Sequence, residues 1–525
     1  MPPADVMDRM TPTPCAVPPG RGRRIGRAAR WLPVCAIFAA GVLTAAPEAR
    51  RELFVDDALI ERLEGVTLRL HEPVRAGAIL KIDRPWEGPA NFGSVVIRHQ
   101  GRFLLYYRAM TLREDDASGR TCVAVSEDGI NWTKPALARD EFSGRADANF
   151  VVDESGQPLV GTVWLDARPG VPEHERVKAL RSFALSGEAH TAYKDPKGPK
   201  RIELWASGDG FVFRRLPPER QPTLVSDYPN SFDGGNTLFW SEAENRYVLY
   251  YRIMTEARQR TMARTTSADL RDWSTPVPLT YGQALAEQFY VNNTEPYFRA
   301  PQLYIGLAAR FMEGRSAVTD EQARAIGLKS PRGILYNRDC SDGVLLTTRA
   351  GSTRYDRTFP EALIRPGIGA GNWVSRTNYP LTGVFPAGPD QMMLFVNRNY
   401  LQDSWHIERL LLRVDGFASV NAPHAGGSLL TKPLKLSGGT LQLNYSTSAA
   451  GGVRVEVQDA AGMPLPGFAL GDCPELIGDE ITRPVAWRGG TSLDALAGRV
   501  VRLRFVLHDA DLFSFQLGFT PEAAP

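Results

Sequence analysis

Two similar ten-residue segments, identical at six positions, constrain this chain more than any other feature. Residues 101–110 read GRFLLYYRAM, and residues 245–254 read NRYVLYYRIM. Their Tyr-Tyr pairs are 144 residues apart, which corresponds to two structural units of about 72 residues each. A period of this size, built from short strands, predicts a repeat architecture in which each unit buries its apolar faces against its neighbours.

A turn of the form Ser-x-Asp-x-x-x-aromatic follows each copy. The turns read SEDGINW at 126–132 and SADLRDW at 267–273, and a weaker copy, SGDGFVF, occupies 207–213. Ser and Asp side chains hydrogen-bond backbone amides in tight turns, and we expect the aromatic ring to pack between neighbouring sheets. The aspartates of these turns are therefore predicted to be structural.

Five such units fit between about Trp86 and Val420, because the strand-like runs at 302–311 and 392–399 extend the series. Repeated four-stranded sheets that are separated by aromatic residues and Asp-containing turns predict an all-β fold, a five-bladed β-propeller. We expect the blades to begin near Asn91, Asn149, Asp233, Asn293 and Trp373. A stack of β-sandwiches is the main alternative, although it does not explain the repeated turn. Residues 319–328 are predicted to form a short helix.

The segments on either side of the propeller are predicted separately. Residues 47–85 are expected to pack on the propeller or close it with an extra strand. Residues 421–427 look like a linker, and residues 428–525 contain cleanly alternating strands that predict a C-terminal β-sandwich.

The first 46 residues have the order of a secretory signal peptide. Five arginines between positions 21 and 30 precede an uncharged run at 31–43, and Thr44, Ala45 and Ala46 supply small residues for cleavage. We therefore expect a secreted or periplasmic protein whose mature chain begins close to Pro47.

The mature chain is close to neutral, which limits its partners. Removal of residues 1–46 leaves 55 basic and 57 acidic residues, so no broad basic field remains for nucleic acid or an anionic membrane. The remaining Cys122, Cys340 and Cys473 are odd in number and far apart, which indicates buried free thiols rather than a disulfide framework. We expect a monomer without a cofactor, although a calcium ion in the channel is left open.

Several segments resemble a known group of proteins. Residues 53–74, 84–88, 371–380, 410–420 and 478–487 are similar to secreted bacterial proteins labelled as resembling the glycoside hydrolase family 32 N-terminal domain. The resemblance implies a five-bladed propeller of the family 32 and 43 type, a glycosidase activity and an oligo- or polysaccharide partner. The Asn-Asp-Pro-Asn, Arg-Asp-Pro and Glu-Cys motifs of the invertases are absent, so a fructan substrate is not expected.

A propeller brings the first residues of its inner strands into one funnel, where five distant stretches can form a site. Glycoside hydrolysis needs two carboxylates, one protonated and one ionised. We therefore predict catalytic roles for Glu87, Asp233 and Glu295, all of which stand near predicted strand starts. The resemblance to the propeller hydrolases implies that Glu87 is the base and Asp233 the acid. The predicted substrate-binding residues are Asp147, Asn149, Asn236, Asn293, Tyr297, Trp373, Arg376 and Asn378. We expect Glu87, Asp233, Glu295 and Arg376 to line one pocket.

Two other functions remain open from the sequence. A glycoside phosphorylase would need a basic cluster for phosphate, for which Arg252, Arg310, Arg376 and Arg398 are candidates. A non-catalytic glycan-binding propeller would account for the missing invertase motifs. No zinc helix, P-loop or nucleophile elbow is present.

Overall fold

A computed structural model describes residues 49–91, 93–112, 119–138, 144–185, 199–282 and 287–521. All of them belong to the compact unit that spans residues 47–525. The predicted signal peptide, residues 1–46, lies outside the described residues, so its cleavage stays a prediction.

The chain enters the described region with four strands: β1 (Arg50–Leu53), β2 (Ile60–Glu64), β3 (Thr67–Leu70) and β4 (Val74–Lys81). The first three pair with strands from the C-terminal part of the chain, as given below. The fourth instead becomes the outer strand of the last blade, where Leu411 pairs with Val74 and Ile407 with Leu80. The N-terminal segment therefore supplies the outer strand of blade 5.

Blades 1 and 2 follow in chain order. Blade 1 consists of β5 (Val95–His99), β6 (Arg102–Ala109) and β7 (Arg120–Ser126), paired antiparallel in that order. Blade 2 consists of β8 (Val152–Asp153), β9 (Thr162–Leu165), β10 (Val177–Ala184), β11 (Lys200–Ser207), β12 (Val212–Arg215) and β13 (Val225–Ser226). Its main order from the inside outward is β9-β10-β11-β12.

Blades 3, 4 and 5 complete the ring. Blade 3 contains β14 (Thr237–Ser241), β15 (Arg246–Met254), β16 (Arg260–Ser267) and β17 (Val277–Pro278). Blade 4 contains β18 (Gln288–Tyr297), β19 (Ala300–Met312) and β20 (Cys340–Arg349). Blade 5 contains β21 (Tyr379–Pro380), β22 (Phe385–Pro386), β23 (Gln391–Arg398), β24 (His406–Arg413) and the N-terminal β4. The prediction of five blades is confirmed.

Five separate apolar cores lie between consecutive blades and close the ring. Because side chains alternate along a strand, Phe103 and Leu105 of β6 pack toward blade 5, whereas Leu104 and Tyr106 pack toward blade 2. Tyr251 and Tyr250 of β15 divide in the same way between blades 2 and 4. The fifth core joins blades 4 and 5. The repeated Tyr-Tyr pair is therefore the mark of a strand with both faces buried.

The Ser-x-Asp turns have the predicted construction. In the turn after β7, the backbone amides of Ile130 and Asn131 both donate to Asp128 Oδ1 at 2.8 Å, and Gly129 N donates to Ser126 Oγ at 2.9 Å. The turns at Asp209 and Asp269 repeat this arrangement. The ring of Trp132 packs edge-on against Phe395 of blade 5, at 6.3 Å between centroids. The structural interpretation of these aspartates is confirmed.

The C-terminal part forms a further sheet from β25 (Ala418–Ala422), β26 (Gly427–Thr431), β27 (Leu434–Gln458), β28 (Asp479–Pro484) and β29 (Val500–Pro521). The N-terminal strands complete it: β1 pairs with β29, β2 with β26 and β3 with β25. Its own core is built around Leu443, Val455 and Phe505. Division of this region into the two layers of a sandwich stays a prediction.

Helices are few in the described part of the chain. One α-helix, α1 (Asp320–Ala325), begins at the cap residue Thr319, within the segment predicted to be helical. Short 3-10 turns occupy Glu173–Glu175, Pro218–Arg220, Pro331–Gly333, Ala370–Trp373 and Leu493–Leu496.

Candidate functional site

A cavity of about 580 Å³ opens beside the inner strands of blades 1, 2 and 3. Val95 of β5 and Thr162 of β9 line it, together with Asn236, which directly precedes β14. The cavity therefore lies where the starts of different inner strands come together, which is the position that the sequence predicted for a site.

Groups that can bind a polar ligand line this cavity. They include positively and negatively charged groups, amides and aromatic rings: Arg108, Arg120, Arg181, Asp233, Gln157, Asn236, Tyr106, Tyr107 and Phe232. Asn236 is buried, its Nδ2 donates to Phe232 O at 3.2 Å, and its Oδ1 has no hydrogen-bond partner within the described part of the chain. A buried acceptor of this kind is available to a ligand donor.

A strained loop carries Asp233 to the cavity. Asn230 and Phe232 have positive φ angles of 52° and 57°, and Gly234 and Gly235 follow with φ of 81° and 69°. Only glycine fits at position 235, because a Cβ there would lie 2.9 Å from the Cα of Val291. Non-glycine residues in this left-handed region cost roughly 1–3 kcal/mol each and cluster at functional sites.

An ion pair holds the carboxylate of Asp233 in place. Arg252 Nη2 donates to Asp233 Oδ2; the arginine side chain is 3% exposed, whereas that of the aspartate is 54% exposed. Arg252 is the arginine of the second Tyr-Tyr-Arg copy, and Arg108, from the first copy, lines the same cavity. The repeat therefore delivers an arginine to the cavity region from both blades 1 and 3.

A cluster of arginines around Tyr290 adjoins this ion pair. The guanidinium carbons of Arg252, Arg260 and Arg376 lie 4.7, 5.3 and 5.4 Å from the centroid of the Tyr290 ring. Arg376 also donates from Nη1 to the Tyr400 hydroxyl at 3.2 Å. Its φ of 60° is left-handed, like that of Phe232, so a second strained loop borders the site. We refer to these four residues, three arginines and Tyr290, as the arginine cluster.

Glu295 lies in a different place. It lines a separate cavity of about 30 Å³ together with Asn293, Tyr297 and Val384. Burial raises the pKa of this carboxyl to about 7, because the charged form is poorly solvated there. Glu295 lies away from Asp233. Gly235, two residues after Asp233, lies against Val291 of β18, and Glu295 follows Val291 by four strand residues, about 13 Å.

Glu87 is tied into a buried network rather than presented to a ligand. Its carboxylate accepts hydrogen bonds from the Tyr107 hydroxyl and from the backbone amides of Asp83 and Arg84. Lys134 Nζ lies 2.7 Å from its Oε1. Glu87 is not among the residues that line the 580 Å³ cavity. This corrects the prediction that Glu87, Asp233, Glu295 and Arg376 line one pocket; of these, Asp233 lines it.

Three predicted binding residues have their polar atoms engaged inside the protein. Asn149 accepts from Trp86 Nε1 at 2.9 Å and donates to the Tyr107 hydroxyl at 2.8 Å. Asn378 donates to Ser341 O at 2.9 Å. The hydroxyl of Tyr297 donates to Asp415 Oδ1 at 2.8 Å. Such groups could meet a ligand only by exchanging buried hydrogen bonds, and the three binding assignments stay predictions.

Asn236 is the predicted binding residue that lines the cavity, whereas Asn293, Asp147 and Trp373 lie outside its lining. Asn293 donates from Nδ2 to Pro380 O at 2.7 Å and so ties blade 4 to blade 5. Asp147 pairs with Arg145, and the Trp373 indole donates to Gly367 O at 2.9 Å. None of the three lines the cavity that contains Asp233, which corrects their placement in one funnel.

The four arginines proposed for phosphate do not gather. Arg310 is paired with Glu287 and Asp342, and Arg398 is paired with Glu408. Only Arg252 and Arg376 of that set meet, at Tyr290. Arg260 and Tyr290 were not predicted as members of the cluster. The sequence feature that points to this region is the arginine after each Tyr-Tyr pair, because the second of these arginines is Arg252.

The described residues contain no group of three or more His, Cys, Asp or Glu placed to hold a metal ion. Within the same residues, no helix has the length and apolar character needed to cross a membrane. All three cysteines among them, Cys122, Cys340 and Cys473, are buried and free, as predicted.

The described residues form a five-bladed β-propeller with a cavity beside its inner strands, and several solved structures are similar to this chain. A solved N-acetylgalactosamine deacetylase from F. plautii, in complex with blood group B trisaccharide, is 11% identical, with TM-score 0.42, over 67% of this chain and 96% of that one. The family 32 β-fructofuranosidase BmSUC1 of Bombyx mori is 10% identical, with TM-score 0.37, over 86% and 94%.

A third similar structure is the α-L-arabinofuranosidase Arb93A of Fusarium graminearum, 12% identical, with TM-score 0.35, over 66% of this chain and 98% of that one. No family model and no curated protein matches the chain.

Proposed function

We propose that this chain is an exported, glycoside hydrolase-like propeller that binds a saccharide in the cavity beside Asp233. The observation that carries the proposal is the half-exposed Asp233 carboxylate, held by buried Arg252 on a strained loop at a cavity of about 580 Å³. Cavities of roughly 300–1,000 Å³ with a few fixed polar groups suit small ligands. Carboxylate, amide and guanidinium groups offer the donors and acceptors that sugar hydroxyls need.

Recognition fits this geometry better than hydrolysis does. Glycosidases hold two carboxyl groups about 5–9.5 Å apart across the scissile bond. Among the described lining residues, Asp233 is the single carboxylate. Glu87 is engaged by Lys134, and Glu295 lies in another cavity.

Hydrolysis is the second candidate, favoured by the strain around Asp233. A loop with two non-glycine residues at positive φ stabilises one orientation of the chain at a cost to folding. The arginine partner suits Asp233 to the role of base or nucleophile. This role is the reverse of the acid role that the sequence suggested for Asp233.

Export is part of the proposal. The leader at 1–46 has the order of a signal peptide, and the near-neutral mature chain suits an extracellular glycan partner. N-terminal sequencing of protein recovered from outside the cytoplasm should begin close to Pro47. An intact leader on cytosolic protein would contradict this part of the proposal.

The binding proposal is tested by calorimetry with Asp233→Asn and its matched control Asp227→Asn. Asp227 is an exposed aspartate six residues earlier in the same connection. Arabino-, fructo- and galacturono-oligosaccharides serve as probes, with product chromatography after each titration. We expect one class to bind, with affinity reduced at least about tenfold by Asp233→Asn and unchanged by Asp227→Asn.

Absence of binding by every probe, or equal affinity in the two variants, would overturn the assignment to this cavity. Cleavage products that fall by about 10²–10⁴ in Asp233→Asn would establish the second candidate in its place.

A further inference from the structure

We propose that a second pocket, on the outer part of blade 5, binds inorganic phosphate in its hydrogen phosphate form. The pocket has a volume of about 310 Å³ and shares no lining residue with the cavity beside Asp233. The inference goes beyond the proposed function and does not depend on it. The polar residues that line this pocket are Arg75, Asn372, Arg398, Asn399, His406 and Glu408.

Three neighbouring strands bring the charged groups of this pocket together. Arg398 is the last residue of β23 and pairs in register with His406 of β24. Glu408 follows His406 by two strand residues, so the two side chains lie on the same face of the sheet. Arg75 belongs to β4, which pairs with the other edge of β24. The pocket is therefore built on regular strands of the blade.

A glycine-rich loop, residues 366–372, forms part of the pocket wall and holds Arg75 in place. Arg75 Nη2 donates to Pro366 O at 2.9 Å. Gly367 has a φ of 80°, and a Cβ at this position would lie 2.5 Å from Arg75 Nη2. Glycine therefore suits both the left-handed backbone and the close approach of the arginine, which gives the wall a fixed cation.

Positive charge is in excess around this pocket. Glu408 Oε2 accepts from Arg398 Nε at 2.8 Å and lies 3.9 Å from Arg75 Nε, so one carboxylate faces two guanidinium groups. Lys81, which pairs in register with His406, adds a further positive charge. Burial and the charge of Arg75 lower the pKa of Arg398, although Glu408 opposes this effect. Because Arg398 is 2% exposed, water screens its charge weakly, and an added anion would be stabilised.

The lining also keeps a donor and an acceptor for a ligand. Arg398 uses Nε for Glu408 and Nη1 for Asn378 Oδ1, which leaves Nη2 without a hydrogen bond to any described residue. His406 Nδ1 lies 2.9 Å from Ser404 O, and because a carbonyl oxygen only accepts, the proton is on Nδ1. Burial lowers the pKa of His406, so the ring is neutral at pH 7 and its Nε2 is an acceptor.

Hydrogen phosphate matches this combination, because it carries both charged oxygens and an O–H group at neutral pH. Its charged oxygens would accept from Arg398 and Arg75, and its O–H would donate to His406 Nε2. Sulfate has a similar shape and charge but no O–H at this pH, so an acceptor in the lining disfavours it. The neutral imidazole therefore selects between two anions that the arginines alone would bind equally.

Calorimetric titration of the full mature chain with phosphate, sulfate and methyl phosphate at pH 7 and equal ionic strength tests the proposal. We expect one phosphate per chain, bound at least about tenfold tighter than sulfate. Methyl phosphate distinguishes a free phosphate from a phosphate ester, since the ester is largely a dianion without O–H at pH 7 and should bind more weakly.

Two variants assign the binding to this pocket. Arg75→Gln should weaken phosphate binding about tenfold, whereas the matched control Arg365→Gln should not change it. The Arg365 side chain belongs to the same connection, is 65% exposed and does not line the pocket. His406→Phe should remove the preference for phosphate over sulfate. Thermal melts of each variant establish that it is folded.

Four results would overturn the proposal: no binding of phosphate, equal affinities in Arg75→Gln and Arg365→Gln, sulfate bound as tightly as phosphate, or methyl phosphate bound more tightly than phosphate. A preference over sulfate that persists in His406→Phe would also overturn it, because the acceptor would then lie elsewhere. The saccharide site at Asp233 is tested by different ligands and variants, so it stands or falls independently.

Discussion

At the scale of single residues, the two acidic candidates differ in what surrounds them. Asp233 lies half-exposed at a large cavity and faces a buried arginine. Glu295 is half-buried at a small cavity, where burial raises its pKa to about 7. The sequence places both residues near the starts of inner strands. Only the three-dimensional structure shows that Asp233 is held by a cation, whereas Glu295 is poorly solvated.

Glu295 should make the stability of the protein depend on pH. Its pKa rises from 4.5 in the unfolded chain to about 7 in the folded one, so the folded state holds the extra proton between these values. The free energy of unfolding should therefore fall as pH rises from about 4.5 to 7, by about 2 kcal/mol after allowance for partial exposure. Glu295→Gln should lack this fall.

Urea unfolding of the wild type and Glu295→Gln at pH 4.5, 6 and 8 measures the effect as a difference between the two proteins. The variant should gain relative stability at pH 8 and little at pH 4.5. A difference that does not change with pH would show that Glu295 is solvated in the folded state.

At the scale of elements, the Ser-x-Asp turn is the unit that repeats most faithfully. The sequence could predict it because both its donors and its acceptors lie within seven residues. The inner-strand starts could not be placed to the same accuracy: Asn293 was expected to begin blade 4, yet β18 begins at Gln288. Strand ends depend on pairing with distant residues, which the sequence does not display.

Loss of one turn aspartate should destabilise the protein measurably. Asp269 Oδ1 accepts from the backbone amides of Arg271 at 2.9 Å and Asp272 at 3.0 Å. Asp269→Ala leaves these amides without their acceptor and should lower the free energy of unfolding by about 1–2 kcal/mol. Asp272→Ala, three residues away in the same turn and exposed, should change it by less than about 0.5 kcal/mol. Chemical denaturation measures both, and equal effects would contradict the role given to Asp269.

At the scale of the whole molecule, Asp415 joins three parts of the chain. Its buried carboxylate meets Arg51 of β1 at 3.2 Å, Arg299 of blade 4 at 3.1 Å and Ser514 of β29 at 2.7 Å. The propeller, the N-terminal strand and the C-terminal sheet therefore share one polar network. None of these residues stands out in the sequence, since Ser514 and Arg51 stand 99 and 364 residues from Asp415 in the chain.

Asp415→Ala should be among the most damaging single substitutions. It leaves Arg51, which is 5% exposed, buried without its carboxylate, and loss of one partner of a buried pair costs about 3–5 kcal/mol. Asp479→Ala removes the partner of Arg413, and because Asp479 is 62% exposed we expect about 0–1 kcal/mol there. Thermal unfolding compares the two, and similar losses would contradict a central role for Asp415.

The sequence predicted the architecture better than the site. Repeats, turns and strand patterns are local or periodic, so the five blades, the closing strand and the short helix could be inferred from them. The site depends on which side chains already have hydrogen-bond or ion-pair partners inside the protein. Glu87 and Asn149 stand at predicted positions, but Glu87 pairs with Lys134 and Asn149 accepts a hydrogen bond from Trp86. The repeated arginine after Tyr-Tyr was the readable signal, and it leads to Arg252 and the cluster.

A crystal structure of the protein with the oligosaccharide that binds most tightly tests the central claim most directly. It should show the saccharide in the cavity between blades 1, 2 and 3, in contact with Asp233. A saccharide bound instead on the outer blade edges or on the C-terminal sheet, with the Asp233 cavity left empty, would contradict it.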